Sequence, residues 1–407
     1  MLVLWRSGHH HRSAHRVTEP APSNTSPDRP IPRATLVRLT AAKAVANTAL
    51  RWIPPFLPTL ERAFGVSTTQ LTTVLGLGET AGLSTVVVGK HLDQGRERLI
   101  MIGALTTISV SSVIALGGSI WTFAIAFVLL ILGVANFTVA AHAFISHRID
   151  YRWRARSIGL FETSWALALL IGGPIIAILI NVFGWRGPFV FLAAGCGLAA
   201  LGVALSLPVA PRRVSASAAN QTRQRLTPKA WLVVLGSATL APAGLSIFVI
   251  SGTWLNDEFG VSTGGLGLIV MGFGFFELVA SVSTATFADR VGKIKSTLGG
   301  TVVVLLGLAV MLSAGSQLWL GVAGLLVLLI GFEYGFVTSL SLVSEAMPEA
   351  RGTTLAVGNA VGTLTRGVGT LLTGVLYAAY GVSGSAALSA SAAAISAACI
   401  LLSRSLD

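Results

Sequence analysis

Charge is the scarce commodity in this sequence. Asp, Glu, Lys and Arg make up 11% of its 407 residues, whereas a soluble domain carries about 25%. A water-facing surface for a chain of this length cannot be built from so few ionic groups, which excludes a soluble fold. Acid is scarcer than base: 16 Asp and Glu stand against 28 Lys and Arg, a formal net charge of +12. Cysteine is nearly absent. Cys196 and Cys399 both lie inside apolar runs, so there is no disulfide framework, and the two read as small buried hydrophobes. No metal-ligand spacing and no Gly-x-x-x-x-Gly-Lys-Ser/Thr phosphate loop occurs. His91, His147 and Asp150 are too scattered to propose a catalytic triad. The expectation is a protein that is not an enzyme and uses no metal, ATP or other cofactor.

Apolar residues are abundant instead, at 53%, with a mean hydropathy of +0.77. A bilayer core of ~30 Å takes about 20 apolar residues per helix. By that measure twelve spans lie near 39–60, 69–88, 99–117, 120–143, 157–181, 187–209, 230–254, 264–287, 297–314, 318–341, 352–378 and 383–403. The longest connector, 210–229, divides six spans from six. The expected organisation is a tail over 1–38, a bundle over 39–209, a linker over 210–229 and a second bundle over 230–407. The tail is polar and carries His9, His10, His11 and His15; it reads as a disordered cytoplasmic tail or a mis-assigned start, with metal binding by the histidines as the alternative.

The basic residues are distributed by side. Lys43, Arg51 and Arg366 fall within spans, and only Arg62 and Arg186 fall in loops on one face. All other Lys and Arg lie in the tails and loops of the opposite face. Cytoplasmic loops carry such an excess, so both termini are expected to be cytoplasmic and the protein to span the plasma membrane. The +12 therefore records orientation in a membrane, not nucleic-acid binding.

The two halves repeat. Phe64-Gly65-Val66-Ser67-Thr68 recurs as Phe259-Gly260-Val261-Ser262-Thr263. Each copy precedes a span with a Gly-x-Gly, at Gly76/Gly78 and at Gly272/Gly274. Each of those spans ends in an acidic-basic loop. Gly89, Asp93 and Arg96 mark the first; Asp289, Arg290, Gly292 and Lys293 mark the second. Arg156-Ser157 and Arg351-Gly352 hold the same register.

These features resemble the major facilitator superfamily across residues 39–405. Asp289-Arg290-Val291-Gly292-Lys293 is similar to the family's loop motif between spans 8 and 9, with Ala285 where Gly is usual. In the first copy Gln94 replaces Arg and one residue is missing before Gly95. Gly184-Trp185-Arg186 and Pro348-Glu349-Ala350-Arg351-Gly352 also resemble family patterns. The resemblance implies an all-α membrane protein of twelve transmembrane helices in two pseudo-symmetric six-helix bundles, monomeric, moving solutes by alternating access. It also implies a gate. Gly89 is expected to permit a close helix contact, and Asp93 to sit as an anion against the positive end of span 11, with Asp289 as its counterpart.

Ionisable residues inside the spans are costly and face protein or a water-filled cavity. Lys43 and Arg51 lie on span 1, Glu79 on span 2, Glu162 on span 5, Glu277 on span 8, Glu333 on span 10 and Arg366 on span 11, with His142 near the end of span 4. Spans 3, 6, 9 and 12 carry none, which suits the family's lipid-facing third helices. At 1.5 Å rise per residue, Glu79 lies roughly 15 Å into its span, near the midplane. Lys43, Asn47 and Arg51 recur at i, i+4, i+8, one stripe of a helix. Lys43, Asn47, Arg51, Asn136, Trp165, Glu333 and Arg366 are candidates for lining a substrate cavity. Glu79 and Glu277 are candidates for proton coupling, and each Glu has the alternative of a structural hydrogen-bonded group. Each Arg wants either a substrate anion or one of the carboxylates.

The expected function is secondary transport of a small organic solute, by resemblance to bacterial efflux members as proton-coupled export. The alternatives are proton-coupled uptake of an organic anion, with Arg51 and Arg366 as counter-charges, or lipid translocation. Span 4 has Leu129 before Gly133 where antiporters carry Arg, and span 5 has Leu169 where their Gly-x-x-x-Gly-Pro begins.

Overall fold

The repeated pentapeptide is a helix stop followed by a helix start. In the computed structural model Gly65 and Gly260 end helices in the left-handed conformation, at φ 65° and 63°, where only glycine is unstrained. Two residues later Ser67 accepts the Gln70 N–H and Ser262 accepts the Gly265 N–H, capping the next helix. Ser119 and Thr227 cap two further helices in the same way.

The structure describes residues 33–92, 94–149, 151–207 and 225–406, all helix and short turn. The tail histidines and most of the linker lie outside them. The helices are α1 (Arg33–Arg51), α2 (Leu57–Phe64), α3 (Thr68–Gly78), α4 (Thr85–Leu92), α5 (Glu97–Ala115), α6 (Ile120–Arg148), α7 (Tyr151–Leu170), α8 (Gly172–Phe183), α9 (Arg186–Ser206), α10 (Pro228–Phe259), α11 (Thr263–Val291), α12 (Lys293–Leu312), α13 (Leu318–Glu345) and α14 (Arg351–Arg404). Among the described residues ten stretches are long and apolar enough to cross a membrane. The last of these turns back at Gly381, φ 62°, and forms spans 11 and 12. Span 1 is α1 and α2, joined through the turn Pro54–Phe56; Lys43, Asn47 and Arg51 lower its hydropathy. Twelve spans result. The chain is already helical at Arg33, ahead of the apolar stretch that marks span 1 in the sequence.

Two expected continuous spans are broken. Span 2 changes at Glu79–Ser84 to a 3₁₀ segment between α3 and α4, because Gly76, Gly78 and Gly82 hold the α-form weakly. Such a mid-helix segment commonly marks a functional hinge. Span 5 breaks at Ile171 between α7 and α8, where Pro174 removes a backbone donor.

Lipid-facing and core spans separate as their side chains require. The apolar window of α9, span 6, is 28% buried, and that of α10, span 7, is 83% buried. Leu198, Leu201 and Leu205 on α9 are exposed, as are Val302 and Leu306 on α12 and Ile395 and Leu402 on the second arm of α14. These are spans without ionisable residues, and they present leucine and valine to the hydrocarbon.

Six of the turns that need positive φ, at Gly65, Gly118, Gly184, Gly260, Gly315 and Gly381, lie at one end of the bundle. The opposite, basic end carries Arg96, Arg148, Arg290, Lys293 and Arg351. The halves touch near the turn end. A side chain at Gly252 of α10 would overlap the Pro55 carbonyl of span 1. Gly76 of α3 meets the Gly367 backbone of α14, and Gly274 of α11 meets Ala166 and Leu170 of α7. Thus the first glycine of one Gly-x-Gly and the second of the other become contacts between halves. Toward the basic end, Gly89, Gly159, Gly352 and Gly362 have nothing within 4 Å of where a side chain would stand. The close glycine crossings between the halves therefore lie toward the turn end and the middle of the spans, and none of these four glycines makes one.

Candidate functional site

The i, i+4, i+8 stripe on α1 zips onto span 5. Lys43 Nζ donates to Glu162 Oε1 at 2.6 Å, and Asn47 Nδ2 donates to Ser164 Oγ at 3.3 Å. Arg51 Nη1 donates to the Trp165 carbonyl at 2.9 Å. Lys43 and Arg51 also stand over the Phe161 and Trp165 rings, 4.3 and 4.8 Å from the centroids. Two long cations with few rotamers left are thereby fixed by one neighbouring helix.

Arg51 reaches further, across the molecule. The same Nη1 donates to Glu277 Oε2 on α11 at 2.6 Å, and both side chains are 9% exposed. A second pair runs the opposite way: Arg366 Nε on α14 donates to Glu79 Oε2 at the start of the span 2 hinge, at 2.9 Å. Each half therefore lends one arginine to a carboxylate of the other. These crossed pairs sit between the close contacts of the turn end and the basic end. Ser281, one turn past Glu277, donates to Glu333 Oε1 on α13 at 2.8 Å. Glu333 is 7% exposed, so Glu277 and Glu333 lie in one buried patch that Arg51 enters from the other half.

A third group was only partly visible in the sequence. His142 Nε2 lies 2.6 Å from the same Glu162 Oε1 that Lys43 holds. Glu162 and His142 are 119 and 20 positions removed from their partners, so no local spacing marks the cluster. The signal available was that three ionisable residues fall at similar depth on spans 1, 4 and 5. Asn136 Nδ2 donates to Ser84 Oγ at 2.9 Å and to the Leu132 carbonyl at 2.8 Å; it ties α6 to the hinge of span 2.

The loop motifs behave differently from expectation. Gly89 makes no close helix contact, because nothing lies within 4 Å of its Cβ position. Asp93 and the Asp289 side chain lie outside the described residues. Arg96 and Arg290 are exposed, and Gly292 ends α11 at φ 93°. Lys293 Nζ donates to Glu345 Oε1 at the end of α13, within its own half. The expected latch of Asp93, with Asp289 as its counterpart, therefore falls outside the described residues.

Twelve spans in two duplicated bundles, meeting at one end around buried crossed charges, define a membrane transporter of the two-bundle type. The sequence profile of the Major Facilitator Superfamily matches residues 39–253 and again residues 234–406. The chain belongs to that superfamily, whose members transport solutes and are not enzymes. It is 26% identical over 312 residues, 71% of each chain, to an uncharacterized MFS-type transporter YwfA of Bacillus subtilis. It is 25% identical over 334 residues, 76% of this chain and 77% of the relative, to an MFS-type efflux pump of Mycolicibacterium smegmatis. In fold it is similar to a bacterial homolog of the human lysosomal transporter Spinster in an inward-facing, occupied conformation, with TM-score 0.69, 18% identity and coverage of 91% and 92%. It is also similar to a D-xylose-proton symporter, with TM-score 0.73, 16% identity and coverage of 91% and 97%.

Proposed function

We propose that the protein exports a small organic solute across the plasma membrane in exchange for protons, as a monomer, with both termini in the cytoplasm. The basic end is then cytoplasmic by the charge rule for membrane loops. The open cavity faces the cytoplasm and receives solute there. Likeness to an efflux pump supports the direction.

The observation that carries the proton is the reciprocal pairing of Arg51 with Glu277 and of Arg366 with Glu79 between halves. Opening the outer end pulls each arginine from its carboxylate. A carboxylate left alone in a low-dielectric site is costly, and a proton neutralises it. Protons enter from outside when the pairs part and leave when the pairs re-form with the cavity open inward. Uptake of an organic anion would need both arginines as counter-charges, and both are already engaged by glutamate.

The test is transport in proteoliposomes under an imposed pH gradient, with a panel of cationic, anionic and neutral solutes. Efflux of one class is expected to rise with the inward proton gradient. Glu277→Gln and Glu79→Gln, made separately, are each expected to cut that stimulation by about tenfold or more while exchange without a gradient persists. Transport indifferent to the gradient, or two variants with wild-type pH dependence, would sink the reading.

A further inference from the structure

The Lys43–Glu162–His142 cluster stands apart from the pairs that join the halves. Lys43 is 1% exposed, but the Glu162 and His142 side chains are 43% and 37% exposed. Both donors act on one oxygen, Glu162 Oε1. No protein donor reaches Oε2 among the described residues. Gly159, one turn nearer the basic end, borders open space, so the carboxylate faces the cavity. The half-buried Trp165 ring follows at i+3 on the same side of α7. A charged acceptor with a free oxygen, beside aromatic surface, suits an ammonium group attached to an apolar body.

We propose that Glu162 binds the transported solute as a protonated amine, and that this amine competes there with a proton on His142. The proposal rests on the export reading and gives it a substrate class. Lys43, buried on α1, already supplies one positive charge to the carboxylate. The site has room for one more, carried by the solute or by the imidazole. Both together would place three cations around one anion in the membrane, where their repulsion is poorly screened.

Histidine is the side chain whose charge ordinarily changes near neutral pH. The groups facing His142 and Glu162 are Lys43 from α1 and the Phe161 ring from α7. Glu333 of α13 lies within electrostatic reach of Glu162 across the cavity. Glu97 of α5 is committed to His147 nearer the basic end. With His142 neutral, the amine takes the carboxylate from the cytoplasmic cavity. On the other side a proton on His142 Nε2 displaces it. One proton enters for each monovalent cation released, so charge balances at the site.

The test uses the purified full-length chain and three probes of one shape: phenethylamine, 2-phenylethanol and 3-phenylpropionate. Calorimetric titration at pH 5.5, 6.5 and 8 is expected to show binding of the amine alone. Its affinity should weaken as pH falls across this range, by up to about tenfold per pH unit. His142→Gln should bind the amine with little pH dependence. Glu162→Gln alone strands a buried lysine, so the paired variant Lys43→Met with Glu162→Gln is used, checked by its melting temperature; it should not bind. Preference for the anion, failure of the amine to bind at pH 8, pH-independent wild-type affinity, or wild-type affinity in the folded paired variant overturns the proposal. Gradient-driven efflux in proteoliposomes separates the two ideas. Competition without gradient-driven transport refutes antiport and leaves the site standing. Gradient-driven transport without competition refutes the site and leaves antiport standing.

Discussion

Gly252→Val is expected to hold the outer end open and stop transport. The position is a backbone-to-backbone crossing: a Cβ on Gly252 would overlap the Pro55 carbonyl, carbon and Cα. No side chain can rotate away to relieve it, since Pro55 sits in a 3₁₀ turn with its φ fixed by the ring. Around the crossing, Thr253 Oγ1 donates to Glu61 Oε1 at 3.1 Å and Arg62 Nη1 to Asn256 Oδ1 at 3.4 Å, so the seal is otherwise polar and weak. Overpacking costs about 1–3 kcal/mol. Applied to the closed state alone, 3 kcal/mol shifts the equilibrium by about 150-fold. The readout is labelling of Thr59→Cys, which is 9% exposed when the seal is shut, by an impermeant maleimide added outside. Labelling should accelerate at least about tenfold in the Gly252→Val background and solute efflux should fall to background. Each half keeps its own packing, so melting temperature should change little. Wild-type efflux in Gly252→Val would show that closure does not depend on this crossing.

Much of this architecture was legible before any coordinates, and the reason is physical. Span count follows from bilayer thickness, and the repeat was literal in Phe64–Thr68 and Phe259–Thr263, which the fold explains as paired helix caps. The absence of charge from spans 3, 6, 9 and 12 follows from the cost of charge in lipid, and α9 and α12 do face outward. The stripe Lys43, Asn47, Arg51 was correctly read as one face, because helical period alone determines it.

What the stripe touches was not legible. Arg51 finds Glu277 at a separation of 226 residues, and Arg366 finds Glu79 at 287. Several carboxylates at similar depth satisfied the same arithmetic, and only the packing of the bundles selects among them. The hinge at Glu79–Ser84 was hidden because hydropathy is indifferent to the difference between α and 3₁₀ geometry. Gly89 failed for another reason. Its Cβ position has nothing within 4 Å, and a glycine at a helix end does not by itself say which helix, if any, approaches it.

Arg51→Leu is expected to be the most destabilising of the charge substitutions, and adding Glu277→Leu is expected to restore the fold without restoring coupling. Removing the arginine alone leaves Glu277, 9% exposed, without the cation that it is bonded to, near the buried Glu333 that Ser281 holds. Breaking a buried pair by deleting one partner costs about 3–5 kcal/mol, whereas replacing both by apolar groups is often neutral or favourable. The single variant should therefore melt several degrees lower in detergent. The double variant should melt near wild type, because no buried charge is left without its partner. In proteoliposomes it should bind solute but lose most of its response to the proton gradient. That separation of stability from coupling is what a switch requires and a merely structural bridge does not. If the double variant is as stable as wild type and still responds fully to the gradient, the Arg51–Glu277 pair holds the halves together and carries no proton.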